Sequence, residues 1–272
     1  PFLRDGLMDG QLPDSVRLLY KGSLRMLLVL LHDFPEFLAS YHFSLCDAIP
    51  AECIQMRNLI LSAFPRAMRL PDPFTPNLKI DLLPEIAQAP RFLSPYASAF
   101  ASNQQLRQDI DSFFRGEIPP NFLAELPSQF HRQAEYEGGS TVNVSLLNAV
   151  VMHVGIKSME TLKPGGAVEL RGTAASEIYR CLAANLDFEA RYLFVNAIAN
   201  QLRYPNSHTH FFSCALLHTF AETDSDLVRE QITRVLLERL IVNRPHPWGL
   251  LTAFVELIQN PIYNFWSRDF VR

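Results

Sequence analysis

Apolar residues recur at the three-to-four spacing of an α-helix along most of the chain. From Ser15 to His32 the stripe is Val16, Leu19, Leu24, Leu27, Leu28 and Leu31. Phe34 to Ala48 follows as one or two short helices after Pro35, and Cys53 to Phe64 as another, closed by Pro65. The spacing predicts further helices over Gln104–Phe114, from Asn121 through Phe122, Leu123 and Leu126, and from Asn143 to about Met159, with the two asparagines as caps. Six consecutive helical patterns then fill Thr173 to Ala184, Phe188 to Leu202, Ser207 to Ala221, Asp226 to Val242, Pro247 to Gln259 and Pro261 to Phe270. Within Phe188–Leu202 one stripe is Phe188, Tyr192, Val195, Ala199 and Leu202, with Phe194 and Ile198 on another flank. A stripe that wide belongs to a helix sandwiched between neighbours. No run of strict alternation appears, and no Asn-Gly or Asp-Gly turn joins β-branched runs, so hairpins are not expected.

Proline breaks this texture. Pro65, Pro71, Pro73, Pro76, Pro84, Pro90 and Pro95 fall within 31 residues, and each lacks the donor a helix needs. Residues 65–95 are therefore expected as an extended arm, with Leu70, Phe74 and Leu78 seated in grooves between helices. Gly138-Gly139-Ser140 and Pro164-Gly165-Gly166 mark mobile loops at 135–141 and 163–172. Short turns make successive helices antiparallel neighbours. Pro205 and Pro245 lie 40 residues apart, close to the period of HEAT-like arrays of roughly 40–47 residues. The expected fold is all-α: a HEAT-like helical-pair solenoid with a proline-rich extended arm, one module over 1–272.

Composition narrows the function. The chain has 272 residues, 39 of them Leu and only 11 Gly, a helical balance. With 24 Lys and Arg against 28 Asp and Glu, net charge −4 and no basic block, general nucleic-acid binding is not expected. No apolar run reaches about 18 residues, which argues against a membrane span. Cys46, Cys53, Cys181 and Cys214 form no C-x-x-C pair and read as buried, reduced thiols. The Asn143-Val144-Ser145 sequon is expected to be unused in an intracellular setting, and a start at Pro1 suggests an excised fragment.

Candidate chemistry is sparse. No phosphate loop, dinucleotide fingerprint, zincin helix or nucleophile elbow is present. His32-Asp33 are adjacent, and adjacent helical residues do not face each other. His208-Thr209-His210 with Cys214 could suggest a metal-dependent hydrolase using His208 and His210. The plainer reading is a helix start capped by Asn206 or Ser207, so no metal and no cofactor are expected. The unusual stretch is Asn243-Arg244-Pro245-His246-Pro247-Trp248-Gly249. One repeat step would set it beside Arg203-Tyr204-Pro205. Arg203, Tyr204, His208, Arg244, His246 and Trp248 are therefore the expected partner-binding edge, rich in the residue types that carry interface energy.

Four runs carry a family resemblance: Asn58-Leu-Ile-Leu-Ser-Ala-Phe-Pro65, Arg69-Leu-Pro-Asp-Pro-Phe-Thr-Pro-Asn-Leu-Lys79, Arg191 to Cys214, and Glu230 to Gly249. They resemble the C-terminal region of the large NOT scaffold subunit of the Ccr–Not mRNA deadenylase complex, in its fungal form. The resemblance implies a non-catalytic scaffold in the cytoplasm and nucleus, acting in mRNA decay and translational repression. It also implies partners: the smaller NOT-box subunits, and peptide motifs of translational repressors and of the complex's RING-type ubiquitin ligase.

Overall fold

The computed structural model describes residues 13–76, 78–117, 119–131, 141–162 and 168–271. Among these, eleven α-helices and seven short 3-10 turns carry the fold. The helices are α1 (Asp14–Asp33), α2 (Pro35–Ala48), α3 (Ile54–Leu61), α4 (Gln104–Phe114), α5 (Phe122–Glu125), α6 (Val144–Thr161), α7 (Ala174–Asn185), α8 (Phe188–Ala199), α9 (Ser207–Glu222), α10 (Asp226–Leu240) and α11 (Trp248–Gln259). The described residues hold no strand, only an isolated antiparallel bridge between His131 and Val142.

Five helix starts are fixed by side chains that accept orphan backbone N–H groups. Asn103, Asn143, Thr173, Asp187 and Asn206 each accept from the amide three residues on. Asn121 does not cap as expected. It sits at φ 58° with its side chain unengaged, because the chain must turn sharply out of Pro119-Pro120. The expected last helix, Pro261 to Phe270, is instead three 3-10 turns at Pro261–Tyr263, Phe265–Ser267 and Asp269–Val271. Asn264 breaks it at φ 48°.

Packing is in two layers. Helix α8 lies between α6 and α10 in one layer, and α9 lies between α7 and α11 in the other, while α8 and α9 also touch across the layers. This large core includes Phe130, Phe194, Phe211, Phe212 and Phe220. The α6–α9 contact is close enough that a Cβ on Gly155 would come within 2.3 Å of the Phe212 ring. Phe188 departs from its expected stripe and is 61% exposed, since it occupies the first turn of α8, beyond the sandwiched part.

Helices α1–α3 form a second, smaller core with Leu38, Met56, Leu59, Ile60 and Tyr204. A polar seam joins the two. Asn58 Nδ2 donates to the Arg239 carbonyl at 2.7 Å, and Arg203 Nη1 to the Ala39 carbonyl at 2.8 Å. Arg57 donates to the carbonyls of Cys46, Ile49 and Pro50. Arg239 Nη2 donates to Asn196 Oδ1 and Asn200 Oδ1, at 2.7 and 2.8 Å. None of these guanidinium bonds goes to a carboxylate, so burial pulls Arg203 down to about 10 and Arg239 to about 9.

Among its described residues the arm contains no α-helix, but it is not extended throughout. Ile80–Leu82 and Pro84–Ala87 are 3-10 turns, and Pro84 opens the second, where its missing N–H costs nothing. Backbone bonds tie the far end down: Ser207 N–H to the Gln88 carbonyl, and Leu93 N–H to the Ser40 carbonyl. Leu70 and Leu78 are half-buried as expected. Phe74 is not seated and stands 63% exposed, because its amide folds back on Asp72 Oδ1 in a turn between Pro73 and Pro76. The loop expectation at 135–141 lies outside the described residues except Thr141, and that at 163–172 is described only from residue 168.

Candidate docking surface

The two turns expected to neighbour each other do so. Gly249 N–H donates to the Arg203 carbonyl at 2.6 Å, and a Cβ on Gly249 would meet Thr209 Cγ2 at 2.5 Å. Their side chains, however, point inward. Arg203, Tyr204, His208 and Trp248 are 0%, 5%, 8% and 5% exposed, so as placed they do not form a contact edge. Arg203 lies in the seam with its guanidinium 5.2 Å from the Tyr204 ring centre. His208 packs on Phe92, and Trp248 Nε1–H donates to the Pro71 carbonyl at 2.8 Å. Arg244 is exposed and His246 half-buried, its Nε2 2.9 Å from the Val242 carbonyl.

Helix α11 is a ridge between two grooves. On one side Leu251, Phe254, Val255 and Ile258 floor a groove of about 700 Å³, completed by Leu240, Arg244, His246 and the arm tip Asp72–Phe74. On the other, Trp248, Thr252 and Glu256 border a groove of about 620 Å³ whose floor is one face of α9, from Thr209 to Glu222, and whose far wall is the arm from Leu78 to Ile86. The arm thus crosses the start of α11, pinned by Trp248, and walls both grooves. Sequence reasoning missed this because nothing local links Pro71 to a tryptophan 177 residues on.

The two candidate metal ligands face apart. Residues two apart on a helix are about 200° apart around its axis. His208 meets Phe92, whereas His210 Nε2 lies in the second groove, 3.7 Å from Asp81 Oδ1. No group of three or more His, Cys, Asp or Glu among the described residues could hold a metal. A different titratable chain does exist. His153 Nε2 is 2.8 Å from Asp111 Oδ1, and its Nδ1 is 3.3 Å from the Tyr96 hydroxyl. Burial lowers His153 and raises Tyr96, so the trio is a neutral His bridging its neighbours, and the phenol is not activated. His32 and Asp33, expected not to meet, do so at 2.7 Å at the exposed end of α1. Cys46 and Cys53 are buried free thiols; Cys181 and Cys214 are free but only partly buried.

The buried histidines set a pH limit. Burial pushes His208 down from 6.5 to about 3, and lowers His42, His153, His210 and His218 in the same direction. Below pH 6.5 the unfolded chain takes up protons that the native chain refuses, so stability present above that pH is lost as pH falls. His208 alone removes up to about 1.4 kcal/mol per pH unit across this window. Urea unfolding midpoints are expected to hold at and above neutral pH and to fall steeply towards about pH 5, less steeply in His208→Gln. A flat profile would show these rings to be wet in solution.

Fold and surface define an all-α module whose described cavities are open grooves between packed elements. Residues 1–272 match the family model described as "CCR4-Not complex component, Not1", and the chain belongs to that family. It is 47% identical over 274 residues to the CCR4-NOT transcription complex subunit let-711 of Caenorhabditis elegans, covering 99% of this chain and 10% of that protein. It is 38% identical to the General negative regulator of transcription subunit 1 of Schizosaccharomyces pombe and 33% to that of Saccharomyces cerevisiae, spanning 12% and 13% of their lengths. The expected fungal character gains nothing from these identities, since the nematode value is higher than either yeast value. Among solved structures, the NOT1 superfamily homology domain of Chaetomium thermophilum superposes with a TM-score of 0.87 at 30% identity, covering 99% of this chain. A Not1 C-terminal domain in complex with Not4 superposes at 0.83 and 31%, covering 95%. The chain spans 54% of each of those two solved chains. No helix among the described residues is long and apolar enough to cross a membrane.

Proposed function

We propose that this module is a non-catalytic docking scaffold of the complex, and that its partners seat on the groove floored by Leu251, Phe254, Val255 and Ile258. One observation carries the reading: a domain of the same fold, 31% identical, is solved in complex with Not4. The groove supports it chemically. Apolar side chains at i, i+3, i+4 and i+7 of α11 offer a continuous floor to an amphipathic helix or linear motif, and Arg244, with exposed Phe74, gives the rim a cation and an aromatic anchor. Of the six residues expected to contact partners, Arg244 and His246 remain in this role. The partners are the smaller NOT-box subunits and peptide motifs of the RING-type ligase and of translational repressors, and the setting is mRNA deadenylation and decay in cytoplasm and nucleus.

A Phe74→Ser, Arg244→Glu double variant tests this, because both side chains are exposed and the fold does not need them. Circular dichroism should be unchanged. Affinity for the purified smaller NOT-box subunits, or for the C-terminal part of the ligase, should drop at least tenfold, or about 1.4 kcal/mol. Unchanged affinity for both would remove this groove as the docking site.

A further inference from the structure

The second groove differs from the first in charge. Its floor runs along α9 from Thr209 to Glu222, about 20 Å at 1.5 Å per residue. That length suits three turns of helix or about six extended residues. Leu78, Ile80, Leu217 and Ile262 supply apolar surface along it. Its carboxylates are Asp81, Glu222 and Glu256, against Lys79.

The carboxylates are incompletely neutralised. Asp81 is 83% exposed, and its one ionic contact among the described residues is the His210 ring, 3.7 Å away, whose burial disfavours protonation. Glu222 meets Arg171 at 3.7 Å, and that arginine side chain is 86% exposed. Glu256 accepts a hydrogen bond from Asn260 Nδ2 at 2.7 Å and has no ion pair among the described residues. Asp81, on the arm, and Glu256, on α11, line the same groove as Cys214. After burial, they are the groups that push the Cys214 thiol on the floor between them up to about 12. Burial and then Glu256 push Tyr263 up to about 12 as well.

We infer that this groove receives a short partner segment bearing a lysine or arginine flanked by apolar side chains, with the cation held between Asp81 and Glu256. The inference rests on the docking reading above and adds a second, chemically distinct seat. A guanidinium or ammonium there meets the exposed Asp81 and the partly buried Glu256, and the pair with Glu256 is screened less than one on an open surface. An acidic segment meets uncompensated like charge, so the groove discriminates by sign.

The test uses three fluorescein-labelled twelve-residue peptides, alike except for Arg, Ser or Glu between two leucines. Anisotropy is expected to show that the Arg peptide binds at least tenfold more tightly than the Ser peptide and that the Glu peptide does not bind. Binding should weaken with added salt, and should shift the δ1 methyl resonances of Ile80 and Ile262. An Asp81→Asn, Glu256→Gln variant should lose at least tenfold in affinity for the Arg peptide. If that variant folds poorly, Asp81→Asn alone, at an exposed position, should lose a measurable part of it. The inference is overturned if none of the three peptides binds, if Ser or Glu binds as well as Arg, or if the variants bind unchanged. Purified smaller NOT-box subunits are titrated in parallel. If they bind while the Arg peptide does not, this groove reading falls and the docking reading stands. If they too fail to bind, the docking reading itself falls.

Discussion

Arg203→Ala is expected to destabilise the protein by roughly 4 kcal/mol, whereas Arg203→Met should stay within about 1.5 kcal/mol of the parent. The side chain is fully buried, and its truncation leaves a cavity and removes the donor that ties the Ala39 carbonyl across the seam. Methionine refills the volume. It loses the same bond but also removes a buried guanidinium whose Nε and Nη2 make no hydrogen bond among the described residues. Urea unfolding of both variants decides this, with hydrogen exchange as the spatial readout. Because Arg203 reaches across the seam, exchange in Arg203→Ala should quicken first in α1–α3, ahead of α6 and α8. Equal losses for Met and Ala would mean that the charge itself, rather than the packing, holds the seam.

Gly249→Ala should lower the melting temperature by roughly 4–8 °C, the equivalent of about 2 kcal/mol for a chain of this size. Alanine is the better helix former by about 1 kcal/mol, so the substitution would stabilise an unencumbered helix. Here the new Cβ meets the Arg203 carbonyl oxygen at 2.8 Å and the Leu202 carbonyl carbon at 2.9 Å, both backbone atoms that cannot rotate away. Overpacking of this kind costs about 1–3 kcal/mol, occasionally more, and it would lengthen the 2.6 Å bond from Gly249 N–H to Arg203. Thermal unfolding followed by circular dichroism is the measurement. A rise in melting temperature would show that α11 can shift outward freely.

The all-α class and the position of most helices were legible because apolar periodicity is a local signal. The capping roles of Asn143 and Asn206 were legible for the same reason. Even the neighbourhood of the Arg203 and Gly249 turns followed from a 40-residue spacing. Which way side chains face at such a turn did not. Arginine, tyrosine and tryptophan are equally at home in an interface and in a polar seam, and only tertiary packing separates the two. Phe74 erred in the opposite direction: its composition suggested burial, and its flanking prolines turned it out. The acidic groove was invisible in sequence because Asp81 and Glu256 belong to segments 175 residues apart, brought together by the arm's path over α11.

That path leaves α11 little freedom to change. Leu250, Ala253 and Leu257 fill the core, one flank floors the apolar groove, the other borders the acidic one, and Gln259 is its one exposed residue. In α10, by contrast, Leu227, Glu230, Arg234 and Leu237 all face solvent. Sequence drift in a helix ordinarily accumulates on the side that touches nothing. α11 has almost no such side, so nearly every substitution in it must be compatible with the core or with the shape of a groove. On the docking proposal above, its evolutionary rate would be tied to that of the molecules seated in those grooves.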